Sequence, residues 1–226
     1  MMKIKFSLVL ALFTMSVLSQ NETPKDGRSN QLSVKIYGGI SPLLSDEAMV
    51  TTPSPVFYDF KYDNDPGYNV GINIGYFLTN NIALQVGFER KENRIFLTNF
   101  PGPFGSLNRL KTNLNSNILF ISSNYYFLSE SNFYPYIGIG GALLQDANYD
   151  FLGAEANGSG EIGLRGLVGI NYHLNSKFAL NFEMNYTVFN DIELEDRTMT
   201  DFQIEYNPLT LNLGIVYTFD LSKEKN

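Results

Sequence analysis

The stretch from Tyr68 to Phe88 limits what this chain can become more than any other. Read two residues at a time, Tyr68, Val70, Ile72, Ile74 and Tyr76 make one row, and Asn69, Gly71, Asn73 and Gly75 the other. After Leu78-Thr79-Asn80-Asn81 the pattern resumes, with Ile82, Leu84, Val86 and Phe88 against Ala83, Gln85, Gly87 and Glu89. Side chains alternate faces along a strand, so this is a two-stranded ribbon with one apolar and one polar face. The Asn-rich link suits a tight hairpin because Asn tolerates positive φ. In bulk water the polar row would carry Lys, Glu and Thr, but it holds one charge among eight residues. Small uncharged polar groups suit the crowded interior of a narrow barrel, where each must find a hydrogen bond. The apolar row then faces outward, which is tolerable in lipid.

Six further strands follow the same rule. Strand one, at about 32–40, sets Leu32, Val34, Ile36 and Ile40 outward and Ser33, Lys35, Tyr37 and Gly39 inward. Strand four, at about 114–127, opposes Leu119, Ile121, Tyr125 and Phe127 to Phe120, Ser122, Asn124 and Tyr126. Strands five (about 133–144), six (161–173), seven (from Phe178) and eight (from Leu209) alternate likewise; inward residues include Tyr136, Arg165, His173, Asn181, Glu183 and Asn212. The fold expected is all-β: an eight-stranded antiparallel up-and-down transmembrane β-barrel over 31–220. Its connections alternate long (41–66, 93–113, 145–160, 190–207) and short (79–81, 128–132, 174–177), the asymmetry of barrels with tight periplasmic turns and longer outer loops. Tyr76, Phe77, Tyr125, Tyr126, Phe127, Phe133, Tyr134, Tyr172, Phe178, Tyr217 and Phe219 gather at the short-turn ends, as an interfacial girdle would.

The remaining segments are a signal peptide (1–19), a short flexible lead (20–30) and a tail (221–226). Lys3 and Lys5 precede an apolar core from Phe6 to Leu18, long enough for a secretory signal and short of the ~20 residues a membrane helix needs. With no Cys, neither a disulfide framework nor a thiolate metal site is available. A net charge of −7 argues against nucleic-acid binding.

The eight alternating strands, the Pro135-Tyr136-Ile137-Gly138-Ile139-Gly140 stretch and the Tyr217-Thr218-Phe219 ending resemble the small outer-membrane β-barrels of OmpA/OmpX type. The resemblance covers nearly the whole chain after the signal. It implies the outer membrane of a Gram-negative bacterium, extracellular loops and periplasmic termini, with outer-membrane lipid and lipopolysaccharide as surroundings. It also implies that the aromatic end of the last strand is read by the barrel-assembly machinery. Here Phe219 is followed by Asp220 to Asn226, a departure from that ending.

An eight-stranded barrel is just wide enough to be filled by its own side chains. Lys35, Glu89, Arg165 and Glu183 are the inward charges, expected to form a structural network with Arg165 meeting Glu183 or Glu89 and Lys35 the remaining acid. Acyl-transfer chemistry wants a His beside a nucleophile with a carboxylate behind it. The only His, His173, has no such neighbours in the pattern. No catalytic residue, metal site or cofactor is expected. In the second long connection, Phe96, Phe100 and Phe104 surround Pro101-Gly102-Pro103, with Arg90, Lys91, Arg94, Arg109 and Lys111 at its base. Those basic residues could meet lipopolysaccharide phosphates, and the apolar tip an extracellular protein partner. The acidic connection at 190–207 is expected to be a solvated loop. A structural or adhesive role through four outer loops is the leading expectation. The alternatives are a barrel that binds or passes small hydrophobic molecules, and a lipid-modifying enzyme.

Overall fold

Alternation of this kind leaves every backbone N–H and C=O to be paired across strands, and the chain does so by closing on itself. The computed structural model describes residues 28–42, 47–51, 57–97, 100–102, 105–107, 110–127, 131–151, 154–189, 192–196, 201–204 and 206–220. In order, the strands are β1 (Gln31–Ser41), β2 (Glu47–Thr51), β3 (Phe57–Phe77), β4 (Ile82–Leu97), β5 (Phe100–Gly102), β6 (Gly105–Leu107), β7 (Leu110–Tyr126), β8 (Phe133–Phe151), β9 (Ala154–Gly158), β10 (Ile162–His173), β11 (Phe178–Val188), β12 (Ile192–Asp196), β13 (Asp201–Ile204) and β14 (Leu209–Asp220). Eight of them, β1, β3, β4, β7, β8, β10, β11 and β14, pair antiparallel in sequence, and β14 returns to β1.

The register fixes the shape of this wall. A path from partner to partner runs from Leu32 through Tyr76, Leu84, Ser123, Ile139, Gly166, Tyr186 and Leu209. It returns to β1 at Pro42, ten residues further on. That stagger belongs to strands tilted by about 35–45° from the axis. The outer face is apolar and open: Ile36 is 64 % exposed and its neighbour Lys35 2 %. On the inner face, Tyr37 lies over its register partner Gly71 and Tyr136 over Gly169; a Cβ at either glycine would collide with the ring.

Two expectations need correction. Three of the girdle aromatics are not on the outer face. Phe77 and Tyr126 are buried inside with ring centroids 5.1 Å apart and planes tilted by 46°, and Tyr134 turns toward His173. Phe77, Tyr126 and Tyr134 each follow an outward aromatic (Tyr76, Tyr125, Phe133), and consecutive strand residues must point opposite ways. The outward set that remains includes Tyr172 against Phe133 and Tyr217 against Phe178.

The long connections are not simply loops either. β3, β4, β7 and β8 continue well past the ends of β1, β10, β11 and β14. Above those ends, β2, β13, β12 and β9 bridge from β3 round to β8, completing a second circuit that shares the four long strands. Register shifts between Asp65 and Tyr68 and between Asn117 and Ile118 fall at this rise, where bulges commonly re-aim strands at a barrel rim. β5 and β6 form a separate hairpin in the second connection.

Candidate functional site

Among the described residues, the buried charges gather in the lumen. Arg165 on β10 donates to Glu89 on β4 at 2.8 Å, and Lys35 on β1 donates to Glu183 on β11 at 2.5 Å. The two pairs touch, with Arg165 3.9 Å from Glu183. Strands from opposite sides of the wall thus meet across the axis. Tyr136 donates to Glu183 at 2.7 Å, Asn69 to Glu89 at 3.0 Å, and the Arg165 guanidinium lies 4.1 Å from the Phe120 ring centroid. Every charge in the cluster is buried, so each would cost several kcal/mol if unpaired.

The cluster has a fifth member. Lys91 is fully buried, 3.5 Å from Glu89 and donating to Thr210 at 2.7 Å. The sequence pattern puts it at the basic base of a loop; β4 instead runs on to Leu97, so Lys91 continues the inward row of Gln85 and Glu89. Extending the period-two count by one step past Glu89 would have found it. Arg90 and Arg94, on the alternate row, are exposed on the outside. Towards the long-connection end, Leu114, Ile118, Leu144, Phe189 and Tyr206 are buried, with Phe189 stacked on Tyr206 at 5.7 Å and the Tyr206 hydroxyl 2.6 Å from Ser116.

The short-turn mouth is closed differently. Tyr136 stacks on Tyr126, Phe77 packs tilted against Tyr126, and Asn181 links Tyr136 to Asn171. Into this floor reaches Arg28, from the lead expected to be flexible. Its guanidinium carbon stands 3.7 Å from the Tyr134 ring centroid and 5.7 and 5.8 Å from those of Phe77 and Tyr126. It donates to His173 Nε2 at 3.1 Å, so His173 presents a lone pair there and carries its proton on Nδ1. Burial draws the Arg28 pKa below its ordinary value, opposed by Tyr134 and Tyr126. Nothing in a polar, aperiodic lead marked this residue in the sequence.

Of the loop candidates, Arg94 pairs in register with Asp65 and Asn113, Phe96 with Lys111, and Phe100 with Leu107. Phe104 and Arg109 lie outside the described residues, as do Asp191 and Glu205 of the acidic connection. Glu193, Glu195 and Asp196 are in β12 and Asp201 in β13, so that connection is partly strand rather than loop. Among the described residues no three His, Asp or Glu side chains are grouped to hold a metal ion.

Known structures repeat this wall. OprG, an outer membrane protein from Pseudomonas aeruginosa, is similar with a TM-score of 0.62 at 16% identity, covering 86% of this chain and 99% of that one. AlkL, an outer membrane protein studied in lipid bilayers, gives 0.53 at 20% identity over 91% and 99%. Neisserial surface protein A gives 0.53 at 18% over 83% and 97%. Among curated protein sequences there is no match. These likenesses speak for the fold alone. The family model for the outer membrane protein beta-barrel domain matches residues 7–219. Nearly the whole length is covered, and the chain belongs to the outer membrane protein β-barrel domain family.

Proposed function

We propose that this protein is a non-enzymatic, non-conducting barrel that anchors an outer β-structured ring for contact with the cell surface and its surroundings. The observation that carries this reading is the cross-lumen cluster of Arg165, Glu89, Lys35 and Glu183, which fills the axis with paired charges. Its role is structural: it ties β1, β4, β10 and β11 together across the lumen. Assembly proceeds through the barrel-assembly machinery, and lipopolysaccharide surrounds the extracellular rim. The partner-facing part is the second connection, where Arg94, Phe96, Phe100, Phe104, Arg109 and Lys111 combine cations with apolar side chains, a composition suited to an extracellular protein. Purified protein in planar bilayers should give no pore-sized conductance. Replacing residues 98–109 by a short Gly-Ser turn should abolish surface adhesion while heat-modifiable gel mobility is retained. Steady open-channel current, or adhesion undiminished by the replacement, would refute the reading.

A second reading is favoured by the apolar layer of Leu114, Ile118, Leu144 and Phe189 inside the extracellular end. A small hydrophobic molecule could lodge there. Vesicles carrying the barrel should then take up a long-chain hydrocarbon faster than empty ones, and equal rates would remove this alternative.

A further inference from the structure

The periplasmic mouth contains an arrangement that the anchoring role does not use. Tyr134 on β8, Phe77 at the end of β3 and Tyr126 at the end of β7 present rings to one point, and His173 on β10 presents an acceptor there. We infer that these four residues form a guanidinium socket, filled in cis by Arg28, and that this occupancy closes the barrel from the periplasmic side.

A guanidinium is the cation this geometry suits. It is planar, stacks on an aromatic face and still donates in its own plane, whereas an ammonium is a compact, strongly hydrated point. The structure holds Arg28 in that way, stacked 3.7 Å over Tyr134 while donating edge-on to His173. The backbone is fixed as well. The amides of Arg28 and Ser29 both donate to Asn80 Oδ1 in the β3–β4 turn, the Asn30 amide donates to the Phe77 carbonyl, and Tyr76 donates to Asn30 Oδ1. Asn30 takes the left-handed φ of 66° that turns the chain from the mouth into β1. The segment is thus latched at both backbone and side chain.

Behind Arg28 is a small recess of about 20 Å³, room for about one water, lined by Ser33 and reaching inward to Lys35. Asn73 Oδ1 and Asn181 Oδ1 line it without accepting a hydrogen bond from protein, so the recess suits water rather than packed side chains. Arg28 separates this wet recess from the periplasm, and the charge cluster closes its inner end. The barrel therefore has two independent closures in series, and opening the lower one alone exposes the recess without opening a pore.

Because the chain has no Cys, Ser33→Cys places a single reporter thiol in the recess. A small methanethiosulfonate reagent is applied to the folded full-length protein in lipid vesicles. With Arg28 present the thiol should react slowly. Arg28→Ala should speed labelling by about tenfold or more, as expected for loss of a desolvated cation–π contact. Methylguanidinium added to the Arg28→Ala protein should slow labelling again, and methylammonium should not. Heat-modifiable mobility of each variant identifies the folded barrel. Equal labelling with and without Arg28 would overturn the closure. Faster labelling that methylguanidinium fails to reverse would overturn the socket.

Discussion

The two faces of the barrel wall are drawn from alternate residues of the same strands, yet they obey opposite rules. On β14, Asn212 is fully buried and Leu213 is 68 % exposed; on β11, Glu183 lies under Lys35 while Phe182 stands open. In a water-soluble sandwich the greasy row would meet another sheet and the amides would meet solvent. Here the solvent of the outer face is hydrocarbon, so exposure of Leu, Ile and Phe costs nothing, and polar groups are confined to a lumen where they must pair. The difference teaches that burial and hydrophobicity are separate variables, and that the surrounding medium decides how they combine.

This contrast can be broken first from within. Arg165→Met leaves Glu89 and Glu183 short of a partner, and should destabilise the barrel by about 3–5 kcal/mol in urea titrations of the lipid-embedded protein. A loss under about 1 kcal/mol would mean that the lumen solvates charge as water does. From the other side, Leu213→Arg puts a charge into the middle of the apolar belt. It should cost about 2–4 kcal/mol, the range found for cations at the bilayer midplane. Crowding inside gives the third test: Gly71→Leu drives a side chain into the Tyr37 ring and should cost about 1–3 kcal/mol. The smallest effect sharpens the depth profile. Ile162→Arg, at the extracellular start of β10, should cost about 0–1 kcal/mol. A cost equal to that of Leu213→Arg would place this end of the wall deep in the bilayer.

What the sequence made legible follows the same contrast. Where lipid forces one face to be apolar, period two stood out, and it put Lys35, Glu89, Arg165 and Glu183 on the row where their side chains lie. Above the belt the outward row itself turns polar, with Arg90, Glu92, Arg94 and Asn113, so the apolar–polar alternation fades although the inner row stays buried. Asp59, Asp63 and Asp65 therefore looked like a loop although they belong to β3, and β2, β9, β12 and β13 were not visible at all. Lys91 was lost at that boundary, one step past the last clear alternation. The inward aromatics are hard to read for another reason: Phe77, Tyr126 and Tyr134 have the right composition and height for a girdle, and only strict alternation separates them from Tyr76, Tyr125 and Phe133. Arg28 depends on contacts with the β3–β4 turn and with β8 and β10, far apart in the chain, which no local pattern encodes.

Methyl groups on consecutive residues of β14 give the most direct test of the central assignment. Ile215 faces outward and Val216 inward. In a nuclear Overhauser experiment on the protein in perdeuterated-headgroup lipid with protonated acyl chains, the Leu213 and Ile215 methyls should show cross-peaks to the acyl protons. The Val216 methyls, together with those of Leu167 and Ala179, should show none. Acyl cross-peaks to Val216 and Leu167, with Leu213 and Ile215 silent or in contact with water, would contradict the account.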